Sequence, residues 1–253
     1  MSRRPLIAGN WKMNCNRAEG ATLARELFRG LPTPLGTADV ALFPPFTCLG
    51  RVVEVVSESE ITVGAQNLYP ADSGAFTGEI SPLQLLDVGA TRVLVGHSER
   101  RHLLGEDDAF VNRKLLAALS HDIEPLLCVG ETLEEREGGL TSAVVERQIR
   151  GGLGGVAETR AQDVTIAYEP VWAIGTGLTA SPSQAAEVHA WIREVLLSLW
   201  GESAAKVRIL YGGSAKPDNA RELLATEGID GLLVGGASLQ ARSFLQIFAA
   251  AAG

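Results

Sequence analysis

The sequence predicts an α/β chain folded as a single (β/α)8 barrel, and three observations carry that prediction. Short β-branched and aliphatic runs alternate with longer helical patterns along the whole chain, eight times over. Most of these runs are apolar throughout, as expected of parallel strands covered on both faces. The length of 253 residues suits a barrel of this kind, and no break in composition marks a linker. An open, doubly wound sheet is the alternative with the same alternation.

In chain order, Leu6–Ala8 is the first strand and Ala18–Phe28 an amphipathic helix. Val40–Phe43, Ile61–Gly64 and Arg92–Val95 are the second, third and fourth strands, and Asp108–Leu119 is a further helix. Pro125–Val129 and Val164–Tyr168 follow as the fifth and sixth strands. Gln184–Leu199 reads as a helix, with Ser181 as its N-cap and Pro182 as its first residue. Val207–Leu210 and Gly231–Val234 complete the set. The run Gly151-Gly152-Leu153-Gly154-Gly155 is too short and too near a helix end to separate domains, so one domain, residues 1–253, is expected.

Composition excludes several classes. Hydrophobic residues make up 46% and charged residues 21%, which suits a globular enzyme with a large core. A net charge of -8 with no basic block argues against a nucleic-acid partner. No apolar run reaches the roughly 20 residues needed to span a bilayer, so no membrane partner is expected. The apolar run ending at Ala8 is too short for a signal-peptide core, which points to the cytoplasm. Cys15, Cys48 and Cys128 are scattered and odd in number, and the four histidines form no paired-ligand motif. Neither a disulfide framework nor a metal site is expected.

Functional groups in such a barrel gather at the C-terminal ends of its strands. Asn10 and Lys12 follow the first strand, His97 and Glu99 the fourth, and Glu169 the sixth. Gly212-Gly213-Ser214 follows the seventh and Gly235-Gly236 the eighth. Each has a bland reading: a surface lysine, a satisfied histidine, a carboxylate closing a strand, glycines in tight turns. Their shared rim shifts the balance towards function. The stretch from Ala167 to Gly177 is the most telling, with Glu169 at a strand tip, then Pro170, an apolar body, and Gly175-Thr176-Gly177. A base beside a segment that is apolar in the middle and pliable at its ends suggests proton chemistry under a lid. Gly175 to Ala180 also fits GxGxxA, but the expected helix starts only at Pro182, too late for a dinucleotide turn. His97-Ser98-Glu99 holds triad residue types, yet sequence neighbours cannot align as nucleophile, base and orienter.

The chain resembles the triosephosphate isomerase family, whose barrel is the TIM barrel. The matching segments are Gly9 to Asn14, Gly64 to Asn67, Gly74 to Glu79, Gly96 to Arg101, Cys128 to Thr132, Tyr168 to Gly177, Tyr211 to Ser214 and Leu233 to Leu239. They occur in family order and span nearly the whole chain. The resemblance implies interconversion of dihydroxyacetone phosphate and glyceraldehyde 3-phosphate through an enediol(ate), in glycolysis and gluconeogenesis, with no cofactor. It implies Glu169 as the base and His97 as a neutral imidazole that polarises the carbonyl. Lys12 and Asn10 would stabilise negative charge, with Glu99 supporting Lys12. Backbone N–H groups of Gly175, Ser214, Gly235 and Gly236 would hold the phosphate. Pro170 to Ala180 would be the lid, with Tyr211 and Ser214 holding its closed form. A homodimer is also implied, with the loop Asp72–Glu79 entering the partner and Thr77 reaching its Asn10 and Lys12.

Two positions depart from the family pattern. Leu178 stands where a lysine is usual, which bears on lid kinetics, and Cys15 stands where glycine is usual, at the expected subunit contact. Two rival readings are a catalytically inactive sugar-phosphate-binding barrel and a different isomerase or lyase acting on a larger phosphorylated substrate. The set of Asn10, Lys12, His97 and Glu169 opposes the first, because binding alone needs no base. The apolar lid and the absence of insertions oppose the second.

Overall fold

The computed structural model describes residues 3–174 and 179–252. Eight strands pair in sequence order and the eighth returns to the first: β1 (Leu6–Asn10), β2 (Asp39–Phe43), β3 (Thr62–Ala65), β4 (Arg92–Val95), β5 (Glu124–Val129), β6 (Thr165–Tyr168), β7 (Arg208–Tyr211) and β8 (Gly231–Val234). Every pairing is parallel, so the expected closed barrel forms and the open sheet does not. Expected and observed strands overlap in every case; β4 and β8 match end to end, and elsewhere the ends are displaced by at most two residues. The largest difference is at β1, which runs on to Asn10 because Asn10 remains in register with Phe43 of β2.

The all-apolar strands serve two cores. Side chains on one face, among them Leu6, Ala8, Phe43, Leu94, Leu126, Cys128, Ala167, Leu210 and Leu233, fill the barrel interior. Those on the other face, such as Ile7, Val40, Val93, Leu127, Ile166 and Ile209, pack beneath the helices. Alternate residues therefore point into different apolar environments, and no polar face is left to read in the sequence.

The helices start where local chemistry allows. Arg17–Gly30 begins after Asn16, whose side chain accepts from the N–H groups of Ala18 and Glu19 while Glu19 returns a carboxylate to the Asn16 N–H. Pro182–Trp200 begins as expected, with Ser181 and Gln184 exchanging reciprocal bonds ahead of Pro182. Among the described residues, no helix is long and apolar enough to cross a membrane.

Ionic groups at the N-terminal end of the barrel satisfy one another. Asp39 bonds both Arg4 and Arg208, and Arg92 bonds Glu124 across the starts of β4 and β5. Burial lowers the Arg92 pKa, with the Glu124 carboxylate opposing that shift.

His189 sits wholly buried on Pro182–Trp200, with Nδ1 2.9 Å from the Gly228 carbonyl and its ring edge-on to Tyr168. Burial pushes its pKa from 6.5 down to about 4. The unfolded chain therefore takes up a proton near pH 6.5 that the native state refuses until about pH 4. The stability this group contributes is present above pH 6.5 and is lost as the pH falls through that window, by about 3 kcal/mol in all. His189→Gln should flatten the acid limb of a Tm-against-pH curve between pH 6.5 and 4. An unchanged slope would show that His189 does not set it.

Candidate active site

The site is built on the strand ends that face away from this ionic floor. Beyond β1, Lys12 adopts a left-handed backbone with φ of 52°. For a residue with a side chain that conformation is strained and needs support. Asn10 Oδ1 accepts the Lys12 N–H at 2.9 Å, and Gln66 Nε2 donates to the Lys12 carbonyl at 2.8 Å and to that of Phe43 at 2.9 Å. The turn aims the ammonium at Glu99, with Nζ to Oε1 at 2.5 Å. Gly235 lies beside it, since a Cβ there would come 3.5 Å from Lys12 Cε.

His97 ends the loop after β4 and caps the helix Ser98–His102. Its Nδ1 accepts the Glu99 backbone N–H at 3.2 Å, which fixes the ring proton on Nε2. Nε2 faces Glu169 Oε1 at 2.9 Å, and Glu169 Oε2 accepts the Ser98 N–H at 2.9 Å. Glu169 is 2% exposed. Burial opposes charge on both partners, but the attraction and hydrogen bond between them prevail. The imidazole pKa lies above its ordinary value and the carboxylate pKa below its own, with the Ser98 N–H adding to the latter. The rise at His97 comes from Glu169 and lasts only while the carboxylate stays beside it. With Glu169 turned away, burial and the helix N–H at Nδ1 both favour the neutral ring.

Glycines let backbones approach where side chains would block. A Cβ at Gly212 would lie 2.9 Å from Glu169 Cγ, and one at Gly213 would lie 2.2 Å from the Tyr211 hydroxyl. Gly236, which opens the short 3-10 turn Gly236–Leu239 after β8, has nothing within 4 Å of where its Cβ would be. Burial pushes the Tyr211 pKa up to about 12, an effect partly opposed by the backbone of Ala180.

Asn10, Lys12, His97, Glu169, Ser214, Gly235 and Gly236 line one cavity of about 620 Å³. The structure thus brings together these seven residues picked from sequence, with Gly212 and Gly213 beside them. Glu99 stands behind Lys12, and Tyr211 beneath the far end of the Pro170–Ala180 segment. Gly175 lies outside the described residues. Thr77 is not at the cavity; it sits among the exposed residues 72–79 of the loop after β3.

Glu131 was not singled out from the sequence beyond its place in a matching segment. It follows β5, is fully buried, and its Oε1 accepts from Trp172 Nε1 at 2.9 Å, the Tyr168 hydroxyl at 3.1 Å and Arg136 at 3.2 Å. Its carbonyl also accepts the Val171 N–H at 3.1 Å. The sequence signal was weak: one more glutamate in an acidic chain, distinguished only by following a strand.

A closed parallel barrel carrying a buried carboxylate, an imidazole with a fixed tautomer, a lysine and a glycine-lined opening defines a class: an enzyme that moves protons on a small anionic substrate. Comparison with known proteins narrows the class. The triosephosphate isomerase family profile matches residues 5–251. A triosephosphate isomerase of Chloroflexus aurantiacus is 54% identical over 246 residues, covering 97% of this chain and 98% of the relative. One from Carboxydothermus hydrogenoformans is 54% identical with the same coverage. The crystal structure of the Bartonella henselae triosephosphate isomerase superposes with a TM-score of 0.88 at 43% identity, covering 96% of this chain and 97% of that one. The chain belongs to the triosephosphate isomerase family.

Proposed function

We propose that this chain, as a single (β/α)8 domain, uses Glu169, His97, Lys12 and Asn10 to interconvert dihydroxyacetone phosphate and D-glyceraldehyde 3-phosphate. The pairing of Glu169 with the Ser98 N–H and His97 Nε2 carries the reading. Both carboxylate oxygens are occupied, which makes the resting base weak. Once it leaves these donors, burial is opposed only by the charge of Lys12 and raises its proton affinity towards that needed to take a proton from carbon. The same departure frees the Nε2–H of His97 for the substrate carbonyl. Lys12, held by Glu99, and Asn10, whose Oδ1 is committed to the Lys12 N–H, offer N–H donors where oxygen gains charge. Ser214, Gly235 and Gly236, with Gly175, take the phosphate through backbone N–H groups. Glu169 then returns the proton to the neighbouring carbon while the hydroxyl proton passes from one oxygen to the other by way of His97 Nε2, and no cofactor enters.

In D2O the protein should introduce deuterium at the carbon next to the carbonyl of dihydroxyacetone phosphate, read by proton NMR. Deuterium incorporation at the wild-type rate by Glu169→Gln would remove Glu169 from proton transfer.

The protein acts in the cytoplasm as a homodimer. Three unpaired cysteines fit a reducing compartment. Met13 is 95% exposed and Phe76 partly exposed, large apolar side chains on the two loops expected to meet across subunits. Cys15, with φ of 72° and its thiol pKa raised by burial, lies in the first of those loops. Thr77→Arg should give monomers in sedimentation and a turnover lower by about tenfold or more, since Lys12 loses its support from the partner. A monomeric variant with full activity would overturn the dimer reading.

A further inference from the structure

We propose that Asn219 is a positioning residue that fixes the turn after β7 for the phosphate; this rests on Ser214, Gly235 and Gly236 taking that group. The helix Pro217–Ala225 has Lys216 as its N-cap. A lysine side chain offers no acceptor to the free N–H groups of a first turn, and Pro217 brings no N–H of its own. The side chain three residues past the cap ties the entry instead. Asn219 Oδ1 accepts the Lys216 N–H at 2.8 Å, and Asn219 Nδ2 donates to the Ser214 carbonyl at 2.9 Å. Its own backbone is held too, with the N–H donating to the Lys216 carbonyl at 3.2 Å.

One amide thus grips both peptide planes of the run Ser214-Ala215-Lys216. Only an amide can do this, since one end must accept and the other donate. The Ala215 N–H shares a planar group with the Ser214 carbonyl and so points away from Asn219. The N–H groups of Ser214 and Ala215 have no acceptor among the described residues, and both residues line the cavity. Upstream, the Gly212 N–H donates to the Tyr168 carbonyl at 2.7 Å. Anchored at both ends, the turn presents its free donors already in place, so an anion need not order them on binding.

Loosening the turn should weaken binding and spare the chemistry. Asn219→Ala removes both bonds. Asn219→Asp keeps the acceptor, suits a first helical turn and loses the donor. In Asn219→Ala, KM for glyceraldehyde 3-phosphate and Kd for the unreactive glycerol 3-phosphate should both rise about tenfold, the ratio two ordinary hydrogen bonds can impose on the turn's equilibrium. The kcat should stay within about twofold, because the phosphate is held alike before and during proton transfer. Deuterium exchange into phosphate-free D-glyceraldehyde should keep its wild-type rate. In the free variant, the Ser214 and Ala215 amide resonances should move or broaden while those of Gly235 and Gly236 hold.

A residue that merely starts the helix would lower Tm and leave KM, Kd and the Ser214 resonance unmoved, and that result would overturn the proposal. An equal loss on D-glyceraldehyde would overturn it as well. If the Ala variant does not fold, the Asp variant decides on the same measurements. Failure of the phosphate assignment would appear separately: glycerol 3-phosphate would then leave the Ser214, Gly235 and Gly236 resonances of the wild-type protein in place.

Discussion

Glu169→Asp is expected to lower kcat by about 10²-fold, with KM for glyceraldehyde 3-phosphate changed little. The substitution keeps a carboxylate and withdraws it by one methylene. The wild-type side chain is 2% exposed, and neighbouring backbones fix its space: a Cβ at Gly212 would already come 2.9 Å from its Cγ. Close packing on that side keeps the β6 backbone from advancing to restore the lost reach. Ser214, Gly235 and Gly236, proposed to take the phosphate, lie on the turns after β7 and β8 and should not feel the change, so binding and turnover should separate. Steady-state kinetics in a coupled assay checks this, and wild-type turnover would exclude Glu169 as the base.

Gly130→Ala should damage both stability and catalysis. A Cβ at Gly130 would stand 1.8 Å from the Glu169 carbonyl oxygen and 2.6 Å from its carbon, so rigid backbone would have to move. Gly130 cannot retreat easily, because the buried Gln148 side chain accepts its N–H at 2.7 Å and donates to its carbonyl at 3.1 Å. On the other side, the Glu169 N–H donates to the Val129 carbonyl at 2.7 Å. The insertion would pry β5 from β6 next to Glu169. A loss of about 3 kcal/mol is expected, equivalent to a Tm lower by about 10 °C. Folded variant should also show reduced kcat, because Glu169 shifts with its backbone. A Tm and kcat equal to wild type would show that the strands separate without cost.

Most of the fold was legible because its determinants are local. Apolar runs such as Leu126-Leu127-Cys128-Val129 mark strands buried on both faces, and Ser181-Pro182 marks a helix start whatever surrounds it. Strand ends were less legible: that β1 continues to Asn10 depends on Phe43 across the ladder. The candidate site was legible as a set of residues at strand ends. Its wiring was not. The support of Lys12 by Gln66 and the gathering of Trp172, Tyr168 and Arg136 on Glu131 leave no periodic trace. Thr77 shows the same limit, since its expected role needs a second subunit.

By itself the sequence determined the eight-fold alternation, the Ser181-Pro182 helix start, and which side chains stand at the strand ends that line the cavity. These follow from interactions within a few residues. Tertiary structure alone decided that the sheet closes, that Glu169 rests on Ser98 and His97, and that Glu131 after β5 gathers Tyr168 and Trp172 on either side of Glu169. Those contacts join residues distant in the sequence, Glu131 with Trp172, Ser98 with Glu169 and Leu6 with Gly231. Their strength comes from desolvation, which exists only once the barrel has shut out water.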